Sequence, residues 1–138
     1  MWERYWREME ALIESGLCDI AFHFDLPKKP GFPMPDDQMD HAIHIMDQIH
    51  NKGMVLEVNT GGIDRSADRK TYPSLTILRL AREKGVDITL GSDARCPAEV
   101  GRHFPETIQT LCSMGWNRVA VFQKRMKTFI PFLSNGAL

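Results

Sequence analysis

Two kinds of connection alternate along this chain, and their asymmetry constrains the fold more than any bulk property. Three short apolar segments, "LCDIAFHF" (17–24), "MVLEVN" (54–59) and "VDITLGSD" (86–93), read as buried strands. Each follows a helical pattern closed by a glycine turn. Residues 2–15 stop at Gly16, a helix opened by Asp36 or Asp37 runs to about Asn51 before Lys52-Gly53, and a helix from Pro73 or Ser74 runs to Lys84 before Gly85. Long polar segments follow the first two strands instead. They are "DLPKKPGFPMP" (25–35), with four prolines and a glycine, and "TGGIDRSADRKTY" (60–72). Strands alternating with helices predict parallel βα units. Tight turns at one end and long loops at the other place a site at the strands' carboxyl ends. Further on, the spacing predicts a helix from about Pro105 to Met114, a short strand "RVAVF" (118–122), and a final helix from Gln123 or Lys124 to about Phe129. The expected fold class is α/β, with about four βα units.

That topology gathers His23, Glu57, Asn59, Ser92 and Asp93 at one end of the sheet. Taken singly, His23 and Asp93 have plain structural explanations. His23 lies between Phe22 and Phe24 and reads as a buried imidazole satisfied by the backbone, and Asp93 as a turn or helix cap. Glu57 lies within an apolar run, and a buried carboxylate needs a cation, a metal or donors. Three titratable groups on three neighbouring strand ends favour a site over three separate accidents. His, Asp and Glu are also ligands that Zn, Mn or Fe accept. His41 and His44, three apart on the second helix but off its apolar stripe of Met39, Ala42, Ile43, Met46 and Ile49, read as solvated surface.

The chain has 138 residues with a formal net charge of -1, enough for one modest domain and without the basic footprint of a nucleic-acid or anionic-membrane binder. No run approaches the roughly 18 apolar residues of a transmembrane span. The charged start "MWERYWREME" lacks a signal-peptide core, and Cys18, Cys96 and Cys112 are scattered without metal-type spacing. A cytoplasmic location with reduced thiols is expected.

The stretches "CDIAFHFDLPKK", "LEVNTGG", "YPSLTILRLAREKGVDITLGSDA" and "PAEVG", with a later "GW", resemble the polymerase-and-histidinol-phosphatase (PHP) superfamily, and its histidinol-phosphatase branch above all. The resemblance implies a distorted seven-stranded (β/α) barrel, TIM-like, whose carboxyl-end rim holds two or three divalent ions (Zn, Mn or Fe). It implies hydrolysis of L-histidinol phosphate to L-histidinol, in histidine biosynthesis. By position it gives His23 the role of a metal ligand and Asp93 that of a catalytic metal ligand. Glu57 and Asn59 become supporting residues of the barrel mouth, and Arg65 a candidate phosphate-binding cation; Ser92 and Arg95, beside Asp93, are the further candidate substrate contacts, Arg95 as a cation able to hold phosphate directly. A guanidinium suits such an anion because it can hold two phosphate oxygens at once.

The departures from the family pattern are equally specific. No His-x-His pair occurs, and the closing motif reads Asp93-Ala94-Arg95 where the family has a histidine at position 95. Arginine has no lone pair to give a metal. Barrels of this kind take about 250 residues. Residues 1–138 are therefore expected to be a carboxyl-terminal portion of a PHP domain without its amino-terminal half, and the metal cluster to be retained poorly. The expected partners are a complementary amino-terminal half or a second copy. The alternative is a non-catalytic remnant that binds an anionic ligand or a partner chain through the old site.

Overall fold

The computed structural model describes residues 1–133 and 137–138. Its elements run α1 (Trp2–Ser15), β1 (Ile20–Ala21), α2 (Met39–Asn51), β2 (Val55–Asn59), α3 (Gly62–Arg65), α4 (Leu75–Glu83), β3 (Ile88–Gly91), α5 (Phe104–Ser113), β4 (Arg118–Gln123) and β5 (Met126–Pro131). The α/β alternation is as expected. β1, β2 and β3 form a parallel sheet in that order, with Ile20 opposite Val55, Leu56 opposite Ile88 and Asn59 opposite Gly91. Among the described residues this sheet is open, and no closed barrel forms.

Strand alternation explains the division of labour in β2, whose five residues are all buried. Leu56 and Val58 point into an apolar core with Ile45, Met46, Ile49, Ile77, Leu78 and Ile88. Glu57 and Asn59 point to the opposite face, which carries the site. In α1, Trp2, Trp6, Met9 and Ile13 form one buried stripe, and Gly16 ends the helix at φ 65, as its position in the sequence predicts. On α2 the buried stripe is Ala42, Ile45, Met46 and Ile49. Ile45 therefore replaces Ile43, which is only half-buried.

Two expectations change. The ladder of β1 is only Ile20–Ala21, because His23 takes a left-handed φ of 50 and turns the chain out of the sheet. The expected final helix over 124–129 is instead the second strand of an antiparallel hairpin. Gln123 pairs with Met126, and Lys124 and Arg125 form a two-residue turn with φ 50 and 63. Val119, Val121, Phe129 and Ile130 suit a pleated surface better than a short helix. The parallel sheet thus has three strands, with a hairpin in place of a fourth βα unit.

This hairpin braces the amino ends of the sheet. Arg125 holds Asp19, just before β1, through two bonds of 2.9 and 3.0 Å, and also donates to the Gly16 carbonyl. Lys127 reaches the Gly53 carbonyl before β2 and the Asp87 carboxylate before β3. Arg125→Ala is therefore expected to speed amide exchange at Val55, whose N–H is held by the Asp19 carbonyl, and to leave Val58 protected. Hydrogen exchange followed residue by residue checks this; equal protection at Val55 in both chains would contradict it.

Candidate active site

The carboxyl ends of β1, β2 and β3 bring the sequence-derived residues into two groups joined by one glycine. The first group is His23, Glu57 and Asn59. Asn59 Nδ2 lies 3.3 Å from His23 Nδ1 and 3.3 Å from Glu57 Oε2, while His23 Nδ1 and Glu57 Oε2 are 3.6 Å apart. Burial pushes the Glu57 carboxyl above its ordinary range, opposed first by the Asn59 hydrogen bond. Glu57 also lies over Gly91, where an added Cβ would meet Oε1 at 2.3 Å. A side chain there would displace the Glu57 carboxylate from its place beside Asn59.

The second group surrounds Asp93, which like His23 sits in the left-handed region, at φ 48. Arg65 Nη1 donates to the Asp93 carbonyl and to its Oδ2, both at 2.7 Å, and Arg65 Nη2 donates to Glu99 Oε2 at 2.7 Å. Glu99 also accepts the Arg95 backbone N–H and pairs with Arg102, and these contacts with the Arg65 charge hold its carboxyl below the ordinary range. Arg102 in turn meets Asp64, which pairs with His103. Ser92 Oγ accepts the Gly101 N–H at 3.2 Å. The Arg95 guanidinium is exposed and makes no hydrogen bond or ion pair among the described residues.

Gly61 joins the two groups. Its N–H donates to Asn59 Oδ1 at 2.9 Å, and a Cβ there would lie 3.0 Å from Asn59 Oδ1, the Asp93 Cβ and the Ser92 carbonyl. Two tyrosines that sequence reasoning missed hold His23 from outside. The Tyr5 hydroxyl donates to the His23 carbonyl, and the Tyr72 ring meets the imidazole edge-on at 5.8 Å. Glu99 and Arg102 were missed too, although "PAEVGR" places two charges just after the third strand's loop. Tyr5, in an amphipathic helix, carries no comparable signal. His44 bonds Glu10, which also accepts from Gln48, so this histidine ties α2 to α1.

Among the described residues no three His, Cys, Asp or Glu side chains gather to hold a divalent metal. Asp93 Oδ2 is taken by Arg65, and position 95 offers a cation. The residues present do not fit a metal cluster on their own. They offer hydrogen-bond donors and guanidinium groups at a strand-end rim, which suits an anion. Among the described residues no helix is long and apolar enough to cross a membrane.

No family model matches the chain. It is 34% identical over 127 residues to a probable histidinol-phosphatase of Deinococcus radiodurans. The matched region is 92% of this chain and 48% of that protein, so the chain spans about half the length of the curated relative it matches.

Proposed function

We propose that this chain is one part of a histidinol-phosphatase-like phosphoesterase, cleaving a phosphate monoester such as L-histidinol phosphate into alcohol and phosphate. The observation that carries this reading is the 34% identity to a probable histidinol-phosphatase over 92% of the chain. The geometry supports it by gathering His23, Glu57, Asn59, Ser92 and Asp93 at the carboxyl ends of parallel strands, where α/β enzymes build their sites. In this reading the open sheet is a segment of a distorted seven-stranded (β/α) barrel. The outer edge of β1 is the place where further strands, from a complementary half or a second copy, would add. Divalent ions would need a fuller ligand set than this chain offers, and the chemistry they would supply there is water activation and charge neutralisation. The residues of this chain bind and orient the anion: Arg95 through its unengaged guanidinium, and Arg65 once the phosphate competes for the nitrogens now on Asp93 and Glu99.

A second reading is favoured by one observation, the Arg65–Asp93 contact at 2.7 Å, which occupies the carboxylate a metal would need. It makes the chain a binder of phosphorylated small molecules without turnover. Phosphate release and calorimetry on the purified chain, with manganese or zinc, separate the two: metal-dependent release, however slow, supports the first, and binding without release supports the second. The chain alone is expected to bind L-histidinol phosphate with turnover below about 1 per second, under the ordinary enzymatic range. Arg95→His is expected to strengthen zinc or manganese binding and weaken phosphate binding. Failure to bind any phosphate monoester would overturn both readings, and metal binding unchanged by Arg95→His would detach position 95 from the site.

A further inference from the structure

We infer that His23 carries its proton on Nε2 and offers that N–H to an oxyanion, in the opposite sense to a metal ligand. The Gly61 backbone N–H donates to Asn59 Oδ1 at 2.9 Å, which fixes the orientation of the carboxamide. Turning the amide over would set its NH2 against the Gly61 N–H and its oxygen against the Glu57 carboxylate, so both contacts select the same orientation. The Asn59 NH2 then faces the side on which Glu57 Oε2 and His23 Nδ1 lie, each 3.3 Å from Nδ2, and its hydrogens are shared between them. A nitrogen facing a donor must present its lone pair, and a neutral imidazole with a lone pair at Nδ1 has its hydrogen at Nε2.

The ring has little freedom to escape this. Flipping it would place a carbon where Nδ1 stands and leave an Asn59 hydrogen unpaired on a side chain 2% exposed. Its backbone is pinned by the Tyr5 hydroxyl, and its outer side is bounded by the Tyr72 ring. A metal-binding histidine is arranged the other way, with one N–H given to a carboxylate or carbonyl and the other nitrogen's lone pair turned to the ion. Here Nδ1 lies nearer to the Asn59 amide, at 3.3 Å, than to the Glu57 carboxylate, which at 3.6 Å is beyond hydrogen-bond distance. The side chain is 35% exposed, and Nε2 makes no hydrogen bond among the described residues. The exposed edge of the imidazole is a donor, so its partner is an acceptor. That the acceptor is a phosphate oxygen rests on the phosphoesterase reading above; the position of the proton does not.

The test is long-range proton–nitrogen correlation on the full chain labelled with 15N-histidine, at pH 8, with the His23 signals assigned by their loss in His23→Gln. The expected spectrum shows the Nε2–H tautomer, and millimolar inorganic phosphate moves the His23 Nε2 resonance. Asn59→Asp keeps an acceptor for the Gly61 N–H but turns a second acceptor toward Nδ1. It is expected to reverse the tautomer and abolish the phosphate response. An Nδ1–H tautomer in the wild-type chain overturns the inference and leaves the phosphoesterase reading standing. An Nε2–H tautomer that phosphate does not perturb overturns the assignment of the ligand. Both wild-type outcomes decide the matter even if the variant fails to fold.

Discussion

Between pH 4 and pH 7 the wild-type chain is expected to lose up to about 3 kcal/mol of stability that an Asp25→Asn variant does not lose. Asp25 is 2% exposed, and burial raises its carboxyl from 3.8 to about 6 against the opposing pull of Lys28 and the Ser74 N–H. A folded-state value above the unfolded one means that the native chain binds the proton more tightly. The contribution is therefore complete below about pH 4 and disappears as pH rises through about 6, at roughly 1.4 kcal/mol for each pH unit between the two values. One carboxyl oxygen accepts the Ser74 N–H at 2.8 Å, while the other is buried with no hydrogen-bond partner among the described residues. Below this window the carboxyls held low by their neighbours, Asp19 by Arg125 and Asp68 by Ser66 and Lys28, protonate and destabilise the fold. Urea midpoints against pH for the two chains isolate the Asp25 contribution in their difference. Parallel curves from pH 4 to pH 7 would show that the buried carboxyl does not titrate there.

Gly62→Ala is expected to destabilise the chain by about 3 kcal/mol, the upper end of what one added methyl costs in a tight interior. A Cβ at Gly62 would meet the Lys70 carbonyl at 2.3 Å and the Tyr72 ring at 3.1 Å. A backbone carbonyl cannot swing aside, so the loop from Ser66 to Tyr72 must move as a unit. That loop ends on the Tyr72 backbone, which exchanges hydrogen bonds of 2.7 and 3.0 Å with Asn59, so the shift reaches the His23 group. Gly16→Ala supplies the contrast. No atom lies within 4 Å of its added Cβ, and φ 65 alone costs about 1–2 kcal/mol. Thermal or urea unfolding of both variants measures the difference, and equal losses would mean that the Lys70 contact relaxes freely.

Strand ends are the legible part of this sequence. The contrast of long and short connections places His23, Glu57, Asn59, Ser92 and Asp93 together, because local turn chemistry and chain direction suffice for that. Contact partners are not legible in the same way. Arg65 reads as an anion-binding cation from its loop, yet in the fold its terminal nitrogens rest on Asp93 and Glu99, 28 and 34 residues away. Tyr5 contributes through a hydroxyl that reaches 18 residues along the chain, and nothing in α1 distinguishes it from an ordinary aromatic at a helix surface. The hairpin escapes the sequence for a different reason. "FQKRMKTFIPF" mixes charged and apolar residues finely enough to fit a short helix or a two-residue turn, and the turn is built without the Asn-Gly pair that marks such loops.

The hairpin also bears on the order in which the molecule assembles. Its own pairing is local, and such ribbons close in about 1–10 μs. Its anchorage is not local, since Arg125 grips a carboxylate 106 positions earlier. Its three anchoring segments, at Asp19, Gly53 and Asp87, come into register only after the parallel strands have paired. Docking is therefore expected to follow sheet formation, and contacts made late weigh on the unfolding rate rather than the folding rate. The strap at the amino ends is a kinetic latch. It governs how long the sheet endures once formed, and so how long the rim at the far end keeps its geometry.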